Sequence, residues 1–527
     1  SDQFESNARQ WGCIQTLLNE EHVDLQRYAR VYCERDVEIL AKGYCKLRHM
    51  FHKVSNGINI DDCVSVNQLT NKALQNYGCT EGVMELSGVS RDFIQQCVTG
   101  GKCMLRNNQK QKVSGKVIAD FDAVSLYPSA MAEMPGLLLG GPKVIPEGTT
   151  VLELEQVTDC GRKGAWFAEV EITSVEEKWQ MPICNYYCHE EHKRVFTNEM
   201  VGRRMWCSSV TVQDMAQMQG IKVQVKKGYY FDEGYNTKLK DFITNIFNER
   251  LKMKKDKNPM QLVYKLMMNG AYGRLILKPI ETDNTFFPSS REFQRYLTQN
   301  WQLIKDFEEM PTDSEFSHCV QLYKEIYRHW SAPHLGVMIL DHSKRIMNRL
   351  HDIAHDLKLP IYYMDTDSMH LLDEDIKTMR QEFSRRYPTI NNGELIGKNL
   401  GQFHNDFGIS PVGPISLPKF DDKDIRSDSF IAYGKKCYLH SLNAPMKDAP
   451  GKLVKGHAMA MKGFTVNSVY DVCNENAITL TQLFNNVYNG EKYKANLLAG
   501  GKVSFEFNKQ MQVKSRTTMK RTIQCIV

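Results

Sequence analysis

The chain has 527 residues, a formal net charge of +5 and 15 cysteines. A chain of this length is too long for one hydrophobic core, so we expect several subdomains. No apolar run approaches the length of a membrane span, and the scattered, odd-numbered cysteines argue against a disulfide framework and indicate an intracellular setting. The small net charge means that any surface for a polyanion is local. The first residue is Ser1 rather than Met, as expected for a fragment or a processed product.

The N-terminal region is predicted to contain a long helix over residues 22–50, where apolar side chains recur at helical spacing. Tyr32 and Asp36 are four residues apart within it and therefore share one helix face. Farther along the chain, Gly100 and Gly101 form a pair. Paired glycines adopt backbone conformations closed to other residues and allow another backbone to approach closely, with an ordinary glycine turn as the alternative.

Residues 117–129 join an apolar strand to a polar turn. The strand runs into Asp122, and Asp120 leaves the same strand face. The turn has the sequence Ser-Leu-Tyr-Pro and begins at Ser125. Free backbone N–H groups in such a turn, or at the helix start that follows, suit the binding of phosphate groups.

Four potential metal ligands lie close together in the next region, which has little regular periodicity. They are Cys184, Cys188, His189 and His192. The spacing matches no strong zinc pattern, so a zinc site competes with buried cysteines and surface histidines as the interpretation.

Two helices are predicted over residues 236–273, separated by a basic turn that contains a proline. In the first helix, Arg250 and Lys254 continue the apolar stripe at four-residue steps, so we expect both to point toward the protein body. A solvated basic helix end is the alternative. In the second helix, Lys265, Asn269 and Tyr272 fall on one face.

Residues 359–372 contain two short apolar runs that flank the sequence Asp-Thr-Asp-Ser. We predict two strands joined at an acidic tip, preceded by a helix over residues 333–357. Asp365 and Asp367 flank one residue, so an extended backbone would place both carboxylates on one face. Two such carboxylates repel each other unless a cation such as Mg²⁺ lies between them. A polar hairpin turn is the alternative.

The C-terminal region begins with residues 400–403, which start a further segment of the same subdomain. Residues 430–438 follow as an apolar strand that ends in Lys436 and Tyr438. Beyond residue 440 the chain has scattered basic residues and is expected to form a small separate subdomain.

Three of these stretches resemble the motifs of family B DNA polymerases, and they occur in the family's order. Residues 122–128 resemble motif A, Asp-x-x-Ser-Leu-Tyr-Pro; residues 265–273 resemble motif B, with Gly270 in place of its serine; residues 365–368 resemble motif C. Lys436 and Tyr438 resemble the Lys-x-Tyr motif near the end of the palm. The sequence is most similar to the protein-primed branch, whose Tyr-x-Gly-Gly element is matched here with Val98 in place of the tyrosine.

The resemblance implies that Asp122 and Asp367 bind two Mg²⁺ ions, with Mn²⁺ as a substitute, and that Asp365 is an auxiliary carboxylate. Nucleotide contacts are implied for Ser125, Leu126, Tyr127, Arg250, Lys254, Lys265, Asn269 and Tyr272. Tyr127 would lie under the incoming sugar and block a 2′-hydroxyl, with a packed core tyrosine as the alternative. DNA contacts are implied for Gly100, Gly101, Lys436 and Tyr438.

The implied fold is an α+β polymerase right hand with an antiparallel palm sheet, helical fingers and a small thumb. In chain order we expect an exonuclease remnant (1–50), a linker with the Gly-Gly element (51–115), a first palm segment with an insertion (116–235), the fingers hairpin (236–278), an insertion (279–330), a second palm segment (331–440) and the thumb (441–527). Tyr32 and Asp36 resemble the third exonuclease motif. Too few residues precede them here for the acidic motifs upstream, so we do not expect exonuclease activity from this chain alone.

The resemblance implies a template-directed DNA polymerase that extends a primer 3′-hydroxyl, in replication of a viral or plasmid genome. Its implied partners are primer–template DNA, deoxynucleoside triphosphates, a terminal priming protein and a separate chain that supplies the rest of the exonuclease domain; no membrane partner is expected. Two alternatives stay open. One is a DNA- or RNA-primed family B replicative polymerase, and the other is a catalytically inactive polymerase-like scaffold that binds DNA.

Overall fold

The computed structural model describes residues 2–17, 20–190, 193–275, 280–411, 417–421, 424–496, 504–507, 513–516 and 520–523. The chain divides into two compact units. Unit 1 comprises residues 1–79 and 242–274, and unit 2 comprises residues 80–241 and 275–527. None of the helices in the described ranges has the length and apolar character needed to cross a membrane.

The α-helices of the described ranges are α1 Asp2–Gln10, α2 Leu25–Val54, α3 Val66–Asn76, α4 Gly88–Gln96, α5 Leu126–Glu133, α6 Val151–Val157, α7 Ser209–Gln219, α8 Lys238–Lys255, α9 Met260–Leu275, α10 Ser290–Asn300, α11 Pro333–Asp356, α12 Asp373–Arg386, α13 Val466–Glu475 and α14 Leu480–Tyr488. The strands are β1 Ile14–Leu17, β2 Glu20–Val23, β3 Cys103–Leu105, β4 Gln111–Ala123, β5 Leu137–Leu138, β6 Lys143–Val144, β7 Ala165–Val175, β8 Asn185–Cys188, β9 Lys193–Phe196, β10 Arg204–Ser208, β11 Ile221–Phe231, β12 Tyr235–Asn236, β13 Thr282–Phe287, β14 Ile304–Glu309, β15 His318–Tyr323, β16 Ile361–Asp365, β17 Ser368–Leu372, β18 Phe403–Asn405, β19 Arg426–Gly434, β20 Cys437–Pro445, β21 Leu453–Met461, β22 Tyr493–Asn496, β23 Ser504–Phe507, β24 Val513–Arg516 and β25 Lys520–Ile523.

Unit 1 is built mainly from helices. The predicted long N-terminal helix is confirmed as α2, which is capped by Asp24, whose carboxylate accepts a hydrogen bond from the Arg27 backbone N–H at 2.9 Å. The two helices predicted over residues 236–273 are confirmed as α8 and α9. The apolar stripe of α8 is buried as predicted, with Ile243 fully buried and Phe242 3% exposed.

Gly270 in α9 lies where helix α3 approaches closely. A Cβ atom at this position would be 2.8 Å from the Thr70 hydroxyl and 3.1 Å from the Asn67 side-chain oxygen. Thr70 is fully buried, and its hydroxyl donates to the Val66 carbonyl at 2.9 Å, so the side chain cannot simply rotate away. The absence of a side chain at position 270 is therefore explained by the packing of α3 on α9.

We expect Gly270→Ala to lower the free energy of unfolding by about 1–3 kcal/mol, because the added methyl group overpacks the α3–α9 contact. Gly43 in the exposed middle of α2 is the matched control, since a Cβ there meets no atom within 4 Å. Gly43→Ala should raise the free energy of unfolding by about 1 kcal/mol through helix propensity. Urea or thermal unfolding of both variants measures the two signs, and a stabilising Gly270→Ala would contradict the packing account.

The largest sheet of the described residues lies in unit 2 and has eight strands. Its order is β21-β20-β19-β4-β17-β16-β3, and β18 also pairs with β4. All of these pairs are antiparallel, as predicted for a palm. The expected palm start at residue 116 falls inside β4, and the expected thumb start at residue 441 falls inside β20. Each strand is longer than the apolar stretch that predicted it, because its hydrogen bonds to neighbouring strands continue beyond that stretch.

Helix α11 is the main support of the region beside the sheet. It begins with Pro333, which suits the first turn of a helix, and it matches the helix predicted over residues 333–357. It packs against α5 and α7, and most of its side chains are buried. The helix that precedes the acidic hairpin is thus a rigid core element of unit 2.

The remaining parts of unit 2 form smaller layers. Strands β10, β7, β11 and β6 make an antiparallel sheet with a core that contains Trp166 and Trp179. The expected insertion at residues 279–330 contains the sheet β13-β15-β14 and helix α10, with Phe287, Phe293 and Val320 in their own small core. Helices α13 and α14 contribute to a separate apolar cluster with β19, β20 and β21.

Candidate active site

The aspartates of motifs A and C lie next to each other in the sheet. Strand β4 runs between β17 and β18, so Asp122 is opposite Ser368 on one side and His404 on the other. The backbone N–H of Ala123, the residue after Asp122, donates to the carbonyl of Asp367 at 2.8 Å. Strand pairing thus brings together two segments that are far apart in the sequence.

The acidic tip is a two-residue turn between β16 and β17. Thr366 has φ 64°, and the N–H of Asp367 donates to the carbonyl of Asp365 at 2.8 Å. The prediction of strands joined at an acidic tip is confirmed, but the prediction of an extended backbone through the Asp-Thr-Asp sequence is wrong. A tight hairpin connection needs a residue with positive φ, and here a β-branched threonine adopts that conformation.

The carboxylates around Asp122 raise one another's pKa values. Burial, followed by repulsion from Asp367 and Asp120, raises the pKa of Asp122 to about 8. Burial and then repulsion from Asp406 raise the pKa of Asp120 to about 7. The pKa of Asp367 is also raised, mainly by burial and with Asp365 as the main repelling neighbour. The ionised carboxylates are therefore disfavoured when no cation is bound, and a bound cation would stabilise them.

These donors fit a divalent ion of the Mg²⁺ type. Within the described residues, no three His, Cys, Asp or Glu side chains form a closed metal-binding group. Mg²⁺ is commonly held in an open site by one or two carboxylates together with water and substrate phosphates. Asp122 and Asp367, beside a half-buried turn, provide that kind of donor set, and their raised pKa values indicate that a cation would be favoured there.

Asp365 has a different set of partners from Asp367. Its carboxylate accepts from the Tyr363 hydroxyl at 3.1 Å and pairs with the Lys436 ammonium at 3.1 Å. The Lys436 backbone N–H also donates to the Tyr363 hydroxyl at 3.1 Å. Tyr438 packs its ring against Tyr363, with centroids 5.1 Å apart. Asp365 thus links motif C to the Lys-x-Tyr motif, and the Lys436 side chain is still 55% exposed.

The motif A turn opens directly into a helix. Ser125 has φ 49° and precedes α5, which starts at Leu126 as the motif predicts. Ser129 fastens this helix start, because its hydroxyl accepts from the Gly401 N–H at 2.7 Å and donates to the Val124 carbonyl at 2.8 Å. Tyr127 lies in the first turn of α5 and is half-buried, whereas Leu126 is buried.

The Gly-Gly pair lies against the acidic hairpin. A Cβ atom on Gly101 would be 2.5 Å from Cγ2 of Thr366, whereas a Cβ on Gly100 meets nothing within 4 Å. The group that approaches Gly101 closely is thus the Thr366 side chain, not another backbone as predicted for the pair. The implied DNA contact of the two glycines stays a prediction.

The fingers residues belong to the helical hairpin of α8 and α9. Lys265 and Asn269 are exposed on one face of α9, and Tyr272 is half-buried. Arg250 is half-buried, as expected from its place on the apolar stripe. The same expectation is wrong for Lys254, which is exposed because it lies in the last turn of α8, beyond the buried part of the stripe.

The potential zinc ligands do not form a common site among the described residues. Cys184 is buried, and its sulfur lies 3.3 Å from the Met215 sulfur. His189 is exposed and its ring packs on Tyr187, while Cys188 ends β8. His192, the fourth potential ligand, lies outside the described residues. The alternative of a buried cysteine and a surface histidine is correct for Cys184 and His189.

Tyr32 and Asp36 lie on the exposed part of α2. Repulsion from Asp36 and a hydrogen bond to it raise the pKa of Tyr32. The expectation that this chain alone lacks exonuclease activity stays a prediction.

Two side chains that interact with Asp122 belong to none of the sequence motifs. They are those of His404 and Asp406. Both interact electrostatically with Asp122, and the His404 ring nitrogen is 3.4 Å from the Asp406 carboxylate. The sequence feature that could have pointed to them is their position: they directly follow residues 400–403, the predicted start of the last palm segment.

The antiparallel sheet thus carries Asp122 at the end of β4 and Asp367 in the turn that leads into the neighbouring strand β17, beside the strand-to-helix turn at Ser125. Residues 5–332 match the family DNA polymerase type B, organellar and viral. This is more than half of the chain, and the chain belongs to that family. In addition, 36 residues are 54% identical to the DNA polymerase of Acidianus bottle-shaped virus (isolate Italy/Pozzuoli), a match that covers 7% of this chain and only 6% of that protein.

Two solved structures of Phi29 DNA polymerase are similar in fold. The ternary complex with primer–template DNA and incoming nucleotide substrates has a TM-score of 0.56 and 16% identity, over 88% of this chain and 68% of that chain. The post-translocation binary complex with primer–template DNA has a TM-score of 0.56 and 15% identity, over 99% of this chain and 78% of that chain. The predicted α+β polymerase right hand is confirmed.

Proposed function

We propose that this protein is a template-directed DNA polymerase that adds deoxynucleotides to a primer 3′-hydroxyl. The observation that carries the proposal is the pairing of β4 with β17, which brings Asp122 and Asp367 side by side in a chain of the type B family. The inactive scaffold is the candidate from another class. It is disfavoured because the two half-buried, mutually repelling carboxylates cost folding free energy that a DNA-binding role alone would not explain.

In the proposed reaction, Asp122 and Asp367 would hold two Mg²⁺ ions, or Mn²⁺ in their place. Bound metal would supply activation of the primer hydroxyl and stabilisation of the pyrophosphate leaving group. The backbone at the start of α5, from Ser125 to Tyr127, would orient the triphosphate tail through its N–H groups. Lys436, held by Asp365, would contact the primer–template backbone, and Tyr438 would contact the primer terminus.

We further propose protein-primed replication of a viral or plasmid genome, with a terminal priming protein as partner. The Gly-Gly pair and the compact insertion between motifs B and C support this branch over a DNA- or RNA-primed polymerase. Incubation with a labelled deoxynucleotide and candidate priming proteins, without primer DNA, tests the mode of priming. A covalent nucleotide–protein adduct supports it, and extension that strictly requires a nucleic-acid primer contradicts it.

Tyr127 is the proposed filter against ribonucleotides, because it follows Ser125-Leu126 at the start of α5 and is half-buried. Tyr127→Ala should raise the incorporation of ribonucleotides relative to deoxyribonucleotides, since the bulk that blocks a 2′-hydroxyl is removed. Comparison of kcat/KM for both nucleotide types measures the change. Unchanged discrimination in an active Tyr127→Ala enzyme would assign the side chain to core packing instead.

A further inference from the structure

A buried lysine lies directly behind the tip of the acidic hairpin. Lys102 is 2% exposed and follows Gly101. Its ammonium donates to the Met181 carbonyl at 2.9 Å and to the Asn348 side-chain oxygen at 3.4 Å, and it lies 3.3 Å from Nδ1 of His351. Burial lowers the pKa of Lys102 to about 7. A buried ammonium is costly unless polar partners surround it, and here residues from two separate segments provide them.

The backbone of the same lysine holds the hairpin turn. The Lys102 carbonyl accepts a hydrogen bond from the Thr366 N–H at 2.7 Å. Gly101 permits this approach, because any side chain there would collide with Thr366. Strand β3 then continues along β16, with Cys103 opposite Asp365. The turn is therefore supported from outside the hairpin by the Gly-Gly segment.

The other end of this segment is also fastened to α11. The Lys344 ammonium donates to the Thr99 carbonyl at 3.0 Å and pairs with Asp341 at 2.7 Å. Asp341, Lys344, Asn348 and His351 are spaced by three, four and three residues, so they form one polar strip along α11. Residues 99–102 are thus bound at both ends to α11, a largely buried helix.

We propose that Lys102 is a positioning residue for catalysis. Its side chain anchors residues 99–102 on α11, and the backbone of that segment fixes the Thr366 turn so that Asp367 keeps its place beside Asp122. A β-branched residue with positive φ is strained, so the turn needs such external support. The inference rests on the proposed polymerase function and adds to it a source of rigidity for the hairpin.

The kinetic test compares Lys102→Met with Arg386→Met. Methionine keeps an unbranched side chain of similar length without the ammonium. Arg386 is the matched control, because it is an 18% exposed cation whose ion pairs are with Asp352 and Asp356 of the same α11 helix and with Glu382. We expect Lys102→Met to lower kcat by about 10- to 100-fold, as for a small misplacement of a reacting group, with the nucleotide KM and the DNA Kd within about twofold. Arg386→Met should lower the melting temperature and keep kcat.

Hydrogen exchange resolved to single amides tests the anchor without any reaction. In the metal-free, DNA-free wild-type protein, the Thr366 amide should be protected, and Lys102→Met should accelerate its exchange while amides of β20 keep their rates. Lys344→Met removes the hydrogen bond to the Thr99 carbonyl and should accelerate exchange of the Thr366 amide to a smaller extent. This variant replaces Lys102→Met in the test if Lys102→Met does not fold. Fast exchange of Thr366 in the wild type would overturn the inference.

The two measurements separate this inference from the polymerase proposal. The wild-type chain could fail to extend primers while its Thr366 amide is protected and exchanges faster in Lys102→Met. That result would overturn the polymerase function but retain the anchoring role of Lys102. An active wild-type chain whose Lys102→Met variant has normal kcat and normal exchange would overturn the inference alone. A loss of activity that only follows the unfolded fraction, as in a purely structural role, would also overturn it.

Discussion

Asp122→Asn and Asp367→Asn should each abolish nearly all primer extension. Each replacement keeps the size of the side chain and removes one negative charge from the proposed metal site. The transition state would lose about 4 kcal/mol of stabilisation by the bound metal, which corresponds to a fall in kcat on the order of 10³-fold. DNA affinity should change far less. Single-turnover extension and a DNA-binding titration measure the two quantities separately.

Asp428→Asn is the matched control for this pair. Asp428 lies on β19 of the same sheet, is exposed and accepts a hydrogen bond from Asn443. Its replacement should leave extension unchanged. Near-normal extension by Asp122→Asn or Asp367→Asn, with the control equally active, would contradict the assignment of the two metal-binding aspartates.

The same variants should not lose stability in the absence of metal. Folding raises the pKa of Asp122 to about 8. The ionised carboxylate therefore destabilises the folded state once the pH exceeds the pKa that Asp122 has in the unfolded chain. That penalty is absent at low pH and is fully present above pH of about 8. At high pH, Asp122→Asn should therefore have a melting temperature at or above that of the metal-free wild type. Inactivity of the variant through misfolding is excluded by this measurement.

Lys265→Ala should reduce nucleotide use by about 10- to 100-fold in kcat/KM, because a charge-assisted contact with a triphosphate contributes on the order of 1.5–3 kcal/mol. Lys265 is exposed on α9, on the same face as Asn269, and so is available to an anion. Binding to primer–template should change little, since the contact is to the nucleotide. Steady-state kinetics with varied deoxynucleotide concentration measure the effect.

The control for Lys265 is Lys252, an exposed lysine of α8 that forms an ion pair with Glu249 three residues away. Exposed pairs of this kind contribute little, so Lys252→Ala should keep both kcat/KM and DNA affinity. A Lys265→Ala variant that loses DNA affinity but retains its nucleotide KM and kcat would contradict the fingers assignment.

Local sequence predicted the elements that carry the motifs. The apolar runs around Asp122 and Asp367 specify strands, and helical spacing specifies α8 and α9, because these signals depend only on nearby residues. The order of motifs A, B and C along the chain then predicted the family and its antiparallel palm. The proximity of Asp122 and Asp367 then follows from the pairing of β4 with β17 in the palm sheet.

Features that depend on distant packing could not be predicted. The left-handed conformation of Thr366 is supported by the Lys102 carbonyl, which comes from another part of the chain. A lysine is usually exposed to solvent, and the burial of Lys102 is explained by the Met181 carbonyl and the polar strip of α11, which come from other parts of the chain. Likewise, the close approach of α3 accounts for the glycine at position 270, which has no local explanation in α9. Each of these is a tertiary contact without a periodic signature.

The most direct test of the account is single-nucleotide extension on four primer–templates that differ only in the templating base. The purified chain, with Mg²⁺, is offered each deoxynucleoside triphosphate separately. The account predicts that only the complementary nucleotide is added efficiently to each template, that chelation of the metal stops the reaction, and that Asp367→Asn does not perform it. DNA binding without extension on any of the four templates, or addition that ignores the templating base, would contradict it.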